Sequence, residues 1–280
     1  MRLPCLLALL AVPATQIAAQ GTCTPPEDSN EAKLLAFFSA PIAFSPGGNV
    51  SPLGAGKFRL GLELTYVPQP SDEITQSEFC QEKSEETDLS PIFPRPRLAI
   101  GLGRGFVLEG SYLPPVTVMD ATPNLGSVAL SYLTSVGPTG LLLRAHATFG
   151  QVEGAITCPE DAIQTDDVLQ PCYATEPSED TYKPNMFGVE AAFTFAGGPT
   201  WSGYGGAGFT AERPRFQVGF QDARPGRPYD DTKIEVDLNR ITLFLGALFQ
   251  VSPNIGLSAE LYSVPEDVTT FRVGASYTWK

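Results

Sequence analysis

Long apolar runs are absent from this chain after Val12. An α-helix needs about 20 consecutive apolar residues to cross a bilayer, so no transmembrane helix is expected. The stretch Leu3 to Val12 follows the positive Arg2 and precedes the small residues Ala18-Ala19, which is the layout of a secretory signal peptide. We predict that residues 1–19 form this signal peptide and that cleavage removes Cys5 with it.

Basic residues are scarce as well. The chain has 18 Lys and Arg against 31 Asp and Glu, a net charge of −13, which argues against nucleic acid as a partner. Two connecting segments hold many of the acids: Asp72, Glu73, Glu78, Glu82, Glu85, Glu86 and Asp88, then Glu153, Glu160, Asp161, Asp166, Asp167, Glu176, Glu179 and Asp180. Simple solvation of exposed loops accounts for them; weak binding of divalent cations or repulsion of anionic solutes is the functional alternative.

Histidine occurs once, at His146, and no Cys-x-x-Cys pair exists. A structural zinc site needs four such ligands, so no metal site is predicted, and no cofactor is expected. The pattern Gly203-Tyr-Gly-Gly-Ala-Gly208 matches a dinucleotide-binding fingerprint, but it lies in an alternating segment and no helix follows it. We interpret these glycines as part of a strand.

What the chain does have is alternation. From Gly56 onward, apolar and polar residues alternate through ten segments separated by turns, which predicts antiparallel strands. In the first segment Leu60, Leu62 and Leu64 share one face, and Arg59 and Glu63 share the other. The ten segments are 57–67, 97–103, 106–113, 127–134, 140–150, 186–196, 200–211, 237–251, 254–263 and 271–279.

The connections between these segments are long on one side and short on the other. The long ones include 68–96, 151–185 and 212–236, and the short ones include 103–105, 197–199 and 252–254. This segregation is typical of a transmembrane β-barrel with short periplasmic turns, whereas a soluble sandwich has no reason for it. In the last long connection, Phe216, Val218 and Phe220 alternate before residues 223–226 and Ile234 and Val236 alternate after them, which predicts a projecting hairpin.

The C-terminal strand carries the most specific pattern. Phe271, Val273, Ala275, Tyr277 and Trp279 share one face. The order polar, any, glycine, two of any, aromatic, any, aromatic is filled by Arg272, Gly274, Tyr277 and Trp279. It resembles the assembly signal of bacterial outer-membrane β-barrels, although Lys280 follows where that family usually ends on the aromatic.

The resemblance implies an all-β, antiparallel, up-and-down barrel of about ten strands at residues 56–280, similar to small barrels of the OmpW and OmpX type. It also implies residence in the outer membrane of a Gram-negative-type bacterium, contact with outer-membrane lipid and lipopolysaccharide, and assembly by the outer-membrane insertion machinery. The oligomeric state and a strand count of ten or twelve stay open.

Residues 20–55 precede the barrel as a periplasmic or luminal segment. Ser29 or Asn30 could cap a short helix that ends near Pro41. That helix lies on the membrane surface or enters the lumen as a plug; an additional strand over 34–44 is the alternative.

Four cysteines remain after processing, and an even number in an exported chain favours disulfides. Cys158 and Cys172 share one acidic loop, and we predict that they are bonded. Cys23 is expected to be a separate thiol, because a bond to Cys80 would require the N-terminal segment to thread the barrel.

Charged residues collect on the face that does not meet lipid. They are Arg59, Glu63, Glu109, Arg144, His146, Glu190, Glu260 and Arg272. They pair with one another and fill a narrow lumen, or they line a small selective pore.

Three functions follow from this pattern. The first is a permeability or transport barrel for small solutes or apolar compounds. The second is a non-conducting structural or surface-interaction barrel. The third is a membrane hydrolase built on His146, which lacks a neighbouring serine motif, so we predict no catalytic residues. A packed, paired lumen favours the second function and a continuous water path the first.

Overall fold

A computed structural model describes residues 21–80, 92–117, 121–137, 139–169, 172–198, 200–221 and 229–279. The predicted signal peptide, Lys280, the acidic residues Glu82 to Asp88 and the turn at residues 223–226 lie outside the described residues. Among the residues described, no helix is both long and apolar enough to cross a membrane.

The described residues form one α-helix, one 3-10 helix (Glu160–Ala162) and sixteen strands. The elements of the first half are β1 (Thr22–Cys23), α1 (Asn30–Ile42), β2 (Phe58–Tyr66), β3 (Ile92–Gly103), β4 (Phe106–Leu113), β5 (Ala121–Val136), β6 (Thr139–Gly154), β7 (Asp180–Lys183) and β8 (Met186–Ala196). Those of the second half are β9 (Trp201–Glu212), β10 (Arg215–Gln217), β11 (Phe220–Gln221), β12 (Tyr229–Asp230), β13 (Lys233–Glu235), β14 (Leu238–Gln250), β15 (Ile255–Val264) and β16 (Val268–Trp279).

Ten of these strands form a closed antiparallel barrel. Each long strand pairs with its neighbour in the chain, and β16 pairs back with β2 from Trp279 opposite Phe58 to Phe271 opposite Tyr66. The predicted ten-stranded, up-and-down, all-β fold is therefore confirmed. Closure leaves no free sheet edge in the barrel as a whole, which is the condition for a sheet to stand in lipid.

The two faces of the barrel wall have opposite chemistry. Leu60 and Leu62 of β2 are 51% and 50% exposed on the outside. Glu63, the residue after Leu62, points inward and is buried. Because an exposed apolar belt around a buried polar interior is stable only in a hydrocarbon surrounding, the chain is a transmembrane barrel.

Strand β3 differs from the prediction. The sequence predicted its start at Arg97, whereas prolines such as Pro94 and Pro96 cannot donate to a ladder and are rare inside strands. The structure begins β3 at Ile92 and pairs it with β2 through both prolines. The consequence is that Arg95 and Arg97 both point into the lumen.

Outside the membrane the wall continues as a small sheet. β6 extends past the start of β8 to pair with β7, and β10, β13 and β1 follow in order. The predicted hairpin is confirmed, with Phe216 opposite Ile234. Buried Asp180 ties this region together, since its carboxylate accepts hydrogen bonds from the backbone N–H groups of Ile156, Thr157 and Gly219.

Candidate functional site in the barrel lumen

The helix α1, called the plug helix below, lies inside the barrel. Of the alternatives for residues 20–55, the structure has the luminal helix. Ser29 caps it through a hydrogen bond from the Ala32 N–H at 3.2 Å. Pro41 stands in the last turn, and the helix runs one residue further, to Ile42.

Small side chains make room for the plug helix. On the helix, Ala32, Ala36 and Ala40 recur every four residues and are fully buried. On the wall, a set of inward hydroxyl residues is buried: Thr65, Ser127, Thr148, Thr210, Thr242 and Thr270. A barrel of ten strands has a narrow interior, so a helix fits only where the residues on both surfaces are short.

The N-terminus of the plug helix is fastened to the first outer loop. Glu31 Oε1 accepts hydrogen bonds from the backbone N–H groups of Glu78 (2.8 Å), Phe79 (2.6 Å) and Cys80 (3.0 Å), and from the Ser77 hydroxyl (2.8 Å). Burial alone would raise the pKa of Glu31, but the N–H donors of Phe79 and Cys80 and the Ser77 hydroxyl lower that pKa to about 2.

A disulfide lies beside this contact. Cys23 is bonded to Cys80, so the expectation that Cys23 is a separate thiol is wrong. Such a bond requires the N-terminal segment to thread the barrel, and the segment does so, from the outer loops to the periplasmic rim. Cys158 is bonded to Cys172, as predicted.

Four arginines surround the other end of the plug helix. We call Arg95, Arg97, Arg144 and Arg272 the arginine collar; they come from β3, β6 and β16, and all are buried. Together they donate to six consecutive carbonyl oxygens, those of residues 40–45. The last carbonyl groups of a helix lack hydrogen-bond donors, and the helix end carries partial negative charge. Guanidinium groups supply the missing donors and neutralise this charge.

Individual contacts show how tightly the collar holds the chain. Arg95 donates to the carbonyl oxygens of Ile42 at 2.6 Å and Ala43 at 2.8 Å. Arg272 donates to that of Ala40 at 3.0 Å and also to Ala43, and Arg144 donates to that of Phe44. Fixing the backbone from several strands leaves the helix end little freedom to shift.

Phe44 occupies the centre of the collar. Its ring is fully buried, and the guanidinium carbons of Arg97, Arg144 and Arg95 lie 4.4, 4.9 and 5.6 Å from its centroid. Cations over an aromatic face attract its negative electron density, which offsets part of the repulsion between neighbouring guanidinium groups.

Carboxylates neutralise the collar from the wall. Arg97 bonds Glu63 at 2.5 Å and Glu109 at 2.9 Å, and Arg144 bonds Glu190 at 2.8 Å. All of these groups are buried, and each of them is paired with a group of opposite charge in a region that excludes water. The ion pairs connect β2, β3, β4, β6 and β8 across the lumen.

Residues 43–55, the luminal tail, continue toward the periplasm. Glu260 accepts from the Ser45 hydroxyl at 2.5 Å and the Gly47 N–H at 3.1 Å. Asn49 donates to Glu109 at 2.7 Å and accepts from Arg59 at 3.0 Å. The tail then meets the wall at Gly56, whose N–H bonds the carbonyl oxygen of Gly101.

All eight residues predicted to face the lumen do lie on its inner side. Seven of them are buried, and Arg59 is half-buried at the periplasmic end. Sequence reasoning missed Arg95 and Arg97, although the alternation Pro94-Arg95-Pro96-Arg97 was the signal that could have revealed them. The luminal charges contact one another and the N-terminal segment.

His146 lies over Gly188 and next to Glu190, with Nε2 and Oε1 3.5 Å apart. Within the described part of the chain, neither ring nitrogen has a hydrogen-bond partner. A nucleophilic hydroxyl activated by histidine needs such a bond. The described residues also contain no group of three or more His, Cys, Asp or Glu placed to hold a metal ion.

No family model and no curated protein matches the chain. Among solved structures it is similar to Ail, the attachment invasion locus protein of Yersinia pestis, with 13% identity over 80% of this chain and 99% of that chain and a TM-score of 0.32. It is similar to the N-terminal β-barrel domain of Pseudomonas aeruginosa OprF (9% identity, 81% and 100% covered, TM-score 0.32). A third match is the KdgM porin (12% identity, 79% and 99% covered, TM-score 0.33).

Proposed function

We propose that this protein is a β-barrel of the outer membrane of a Gram-negative-type bacterium, exported through a cleaved signal peptide, whose lumen is closed to solutes in its resting state. The observation that carries this proposal is the arginine collar. Four buried guanidinium groups hold six consecutive carbonyl oxygens at residues 40–45 in the middle of the barrel.

Both ends of the plug helix are also anchored. Outside, Cys23–Cys80 and the four hydrogen bonds of Glu31 tie it to the first outer loop. Inside, the luminal tail continues covalently into β2. A conducting state therefore requires the collar contacts and at least one anchor to break.

The proposed role is presentation of an outer surface. The extracellular sheet is braced by Cys158–Cys172 and by the buried carboxylate of Asp180. Exposed acids such as Asp166 and Asp167 give that surface negative charge. Contact with lipopolysaccharide, and assembly by the outer-membrane insertion machinery, belong to the same proposal.

A permeability role is the second candidate, and the lining of the lumen favours it. If the plug helix moved out, Glu63, Glu109, Glu190 and the collar would remain as a charged wall that suits small polar solutes. The difference between the two candidates is whether the plug helix moves.

Ion conductance of the folded, full-length protein in a planar bilayer tests the proposal. We expect silence from wild type that shows a heat-dependent gel shift. The variant Cys23→Ser/Cys80→Ser combined with Glu31→Gln loses the outer anchor, and we expect it to show intermittent openings.

The matched control is Cys158→Ser/Cys172→Ser, which removes the other disulfide and leaves Cys23–Cys80 and Glu31 in place, and it should stay silent. Steady openings of heat-shiftable wild type would contradict the closed lumen and select the permeability role.

A further inference from the structure

The outer mouth of the barrel holds a cavity of about 510 Å³, which we call the vestibule. It lies between the plug helix, the first outer loop and the turn that joins β15 to β16. Its volume is within the ~300–1,000 Å³ that is typical of sites for small ligands. None of the collar arginines lines it, so it is separate from the ion pairs in the lumen.

The vestibule exists because two neighbouring strands separate at the rim. The ladder between β16 and β2 ends at Phe271 opposite Tyr66. Beyond this pair, β16 continues to Val268 in its ladder with β15, whereas β2 has ended and Pro68 follows. Proline has no N–H group for a ladder, which favours the divergence of the two chains. Val268 and Pro68 both line the space that this divergence leaves.

One wall of the vestibule presents a cation without a partner. Lys33 of the plug helix is half-buried, and within the described part of the chain its ammonium group makes no hydrogen bond or ion pair. An ammonium group that is partly removed from water is stabilised by an anion. Lys33 is therefore available to bind a negatively charged group of a ligand.

The facing wall carries a surplus of negative charge. Arg240 binds Asp267 through Nε at 2.8 Å and through Nη2 at 3.3 Å, and it binds Glu266 through Nη1 at 3.2 Å. One guanidinium group balances only one of these two carboxylates. The side chain of Asp267 is 1% exposed and that of Glu266 is 62% exposed, so the surplus charge is accessible at Glu266.

The floor between these walls is apolar. Phe37 follows Lys33 by one helical turn, so its ring lies on the same flank of the plug helix. Phe37 and Val268 are buried, and Ile74 of the first outer loop packs against the core beside them. A cavity with an apolar floor and a few charged groups at its edge binds ligands that have an apolar body and charged ends.

We propose that the vestibule binds a small zwitterion with an apolar body, such as a dipeptide with free termini. The carboxylate of the ligand binds Lys33, and its ammonium group binds Glu266. The apolar side chains of the ligand pack on the floor at Phe37.

The charge of the protein favours a zwitterion over an anion. The net charge is −13, and the exposed acids Asp72 and Glu73 lie in the same outer loop as Ile74. A field of this sign repels a solute that carries only negative charge, whereas a zwitterion has no net charge. The site rests on the closed lumen, because the plug helix supplies Lys33 and Phe37.

The test is a titration of the full-length, detergent-folded protein with leucyl-leucine, followed by ¹³C-methyl NMR. We expect saturable shifts of the methyl groups of Ile74 and Val268. The methyl groups of Val189, which is 47% exposed on the outer face of the wall, report uptake by the micelle and should not follow the same saturation curve. The absence of saturable shifts at Ile74 and Val268 would overturn the proposal.

Two modified peptides test each charge of the ligand. Acetyl-leucyl-leucine lacks the ammonium group and leucyl-leucine amide lacks the carboxylate. Each should bind about three- to tenfold more weakly than leucyl-leucine, which corresponds to the loss of one charge-assisted hydrogen bond. Equal affinity of all three peptides would show that the vestibule does not recognise a zwitterion.

Two variants assign the charges to their partners. In Lys33→Gln the dipeptide and its amide should bind equally, and in Glu266→Gln the dipeptide and its acetylated form should bind equally. Lys183→Gln is the control, because Lys183 is exposed on β7 and does not line the vestibule. A heat-dependent gel shift shows that each variant is folded. Equal dipeptide affinity of folded Lys33→Gln and Lys183→Gln would overturn the proposal.

Conductance of the same preparation separates this proposal from the closed lumen. A silent wild-type protein that shows no saturable binding would overturn the ligand site alone. Steady openings would contradict the closed lumen, whatever the result of the titration.

Discussion

Arg272 of the last strand donates from Nη1 to the carbonyl oxygen of Ala43 at 2.9 Å, just after the end of the plug helix. The two residues are 229 positions apart in the chain. This contact joins the strand that closes the barrel to the segment that fills it, so closure and plugging depend on each other.

Replacement of Arg272 by alanine should be strongly destabilising. It leaves the carbonyl oxygens of Ala40 and Ala43 with fewer donors in a buried site, and removing one member of a buried polar network costs about 3–5 kcal/mol. Urea unfolding of the micelle-bound protein measures the loss. Asp237→Asn, which removes an exposed partner of Arg215, is the control and should change stability by less than about 1 kcal/mol.

Protonation of Glu31 should release the plug helix from the first outer loop. Its folded pKa of about 2 is below the value of about 4.3 in an unfolded chain, so the stabilisation is complete above about pH 4.3 and is lost as pH falls through 2. Discounted for nearby solvent, the contribution is on the order of 1–2 kcal/mol.

The carboxyl carbon shift of Glu31, followed by NMR against pH, gives its pKa directly. Ser77→Ala removes one donor and should raise the pKa toward the ordinary value. A wild-type pKa near 4 would show that the N–H donors of Phe79 and Cys80 do not stabilise the carboxylate.

Alanine at Gly47 should cost more than alanine at Gly56. Both glycines have positive φ, +54° and +73°, so both substitutions carry the same backbone strain of about 1–2 kcal/mol. A Cβ at Gly47 would also collide with the side chains of Arg97 and Glu63, whereas none of the described atoms lies within 4 Å of one at Gly56. Unfolding midpoints of Gly47→Ala and Gly56→Ala should therefore differ, and equal midpoints would place the luminal tail elsewhere.

Arginine at Leu62 should destabilise the barrel by about 2–4 kcal/mol near the bilayer midplane, because this side chain faces lipid. Val116→Arg is the matched control, since Val116 is 59% exposed in the second outer loop, and it should be neutral within about 0.5 kcal/mol. Refolding yields in lipid vesicles compare the two, and equal tolerance would contradict the facing of β2.

Disulfide mapping checks the threading of the chain. Non-reduced peptides should contain Cys23 joined to Cys80 and Cys158 joined to Cys172. Free thiols at Cys23 and Cys80 would show that the outer end of the N-terminal segment is untethered.

The sequence by itself determined the barrel and the facing of its residues. A strand shows its two faces every second residue, so the alternation of Leu60, Leu62 and Leu64 with Arg59 and Glu63 was sufficient to assign lipid and lumen. The same local rule placed the inward charges from Glu109 to Arg272, and the capping residue Ser29 marked the helix.

Tertiary structure decided what those charges contact. Whether Arg144 pairs with a carboxylate, water or a helix end depends on strands and a luminal segment far apart in the chain. The bond of Cys23 to Cys80 depends on where the helix lies. The start of β3 shows the limit most clearly, because the predicted segment begins at Arg97, whereas in the barrel β3 pairs with β2 from Ile92 through Pro94 and Pro96, a contact that local sequence does not show.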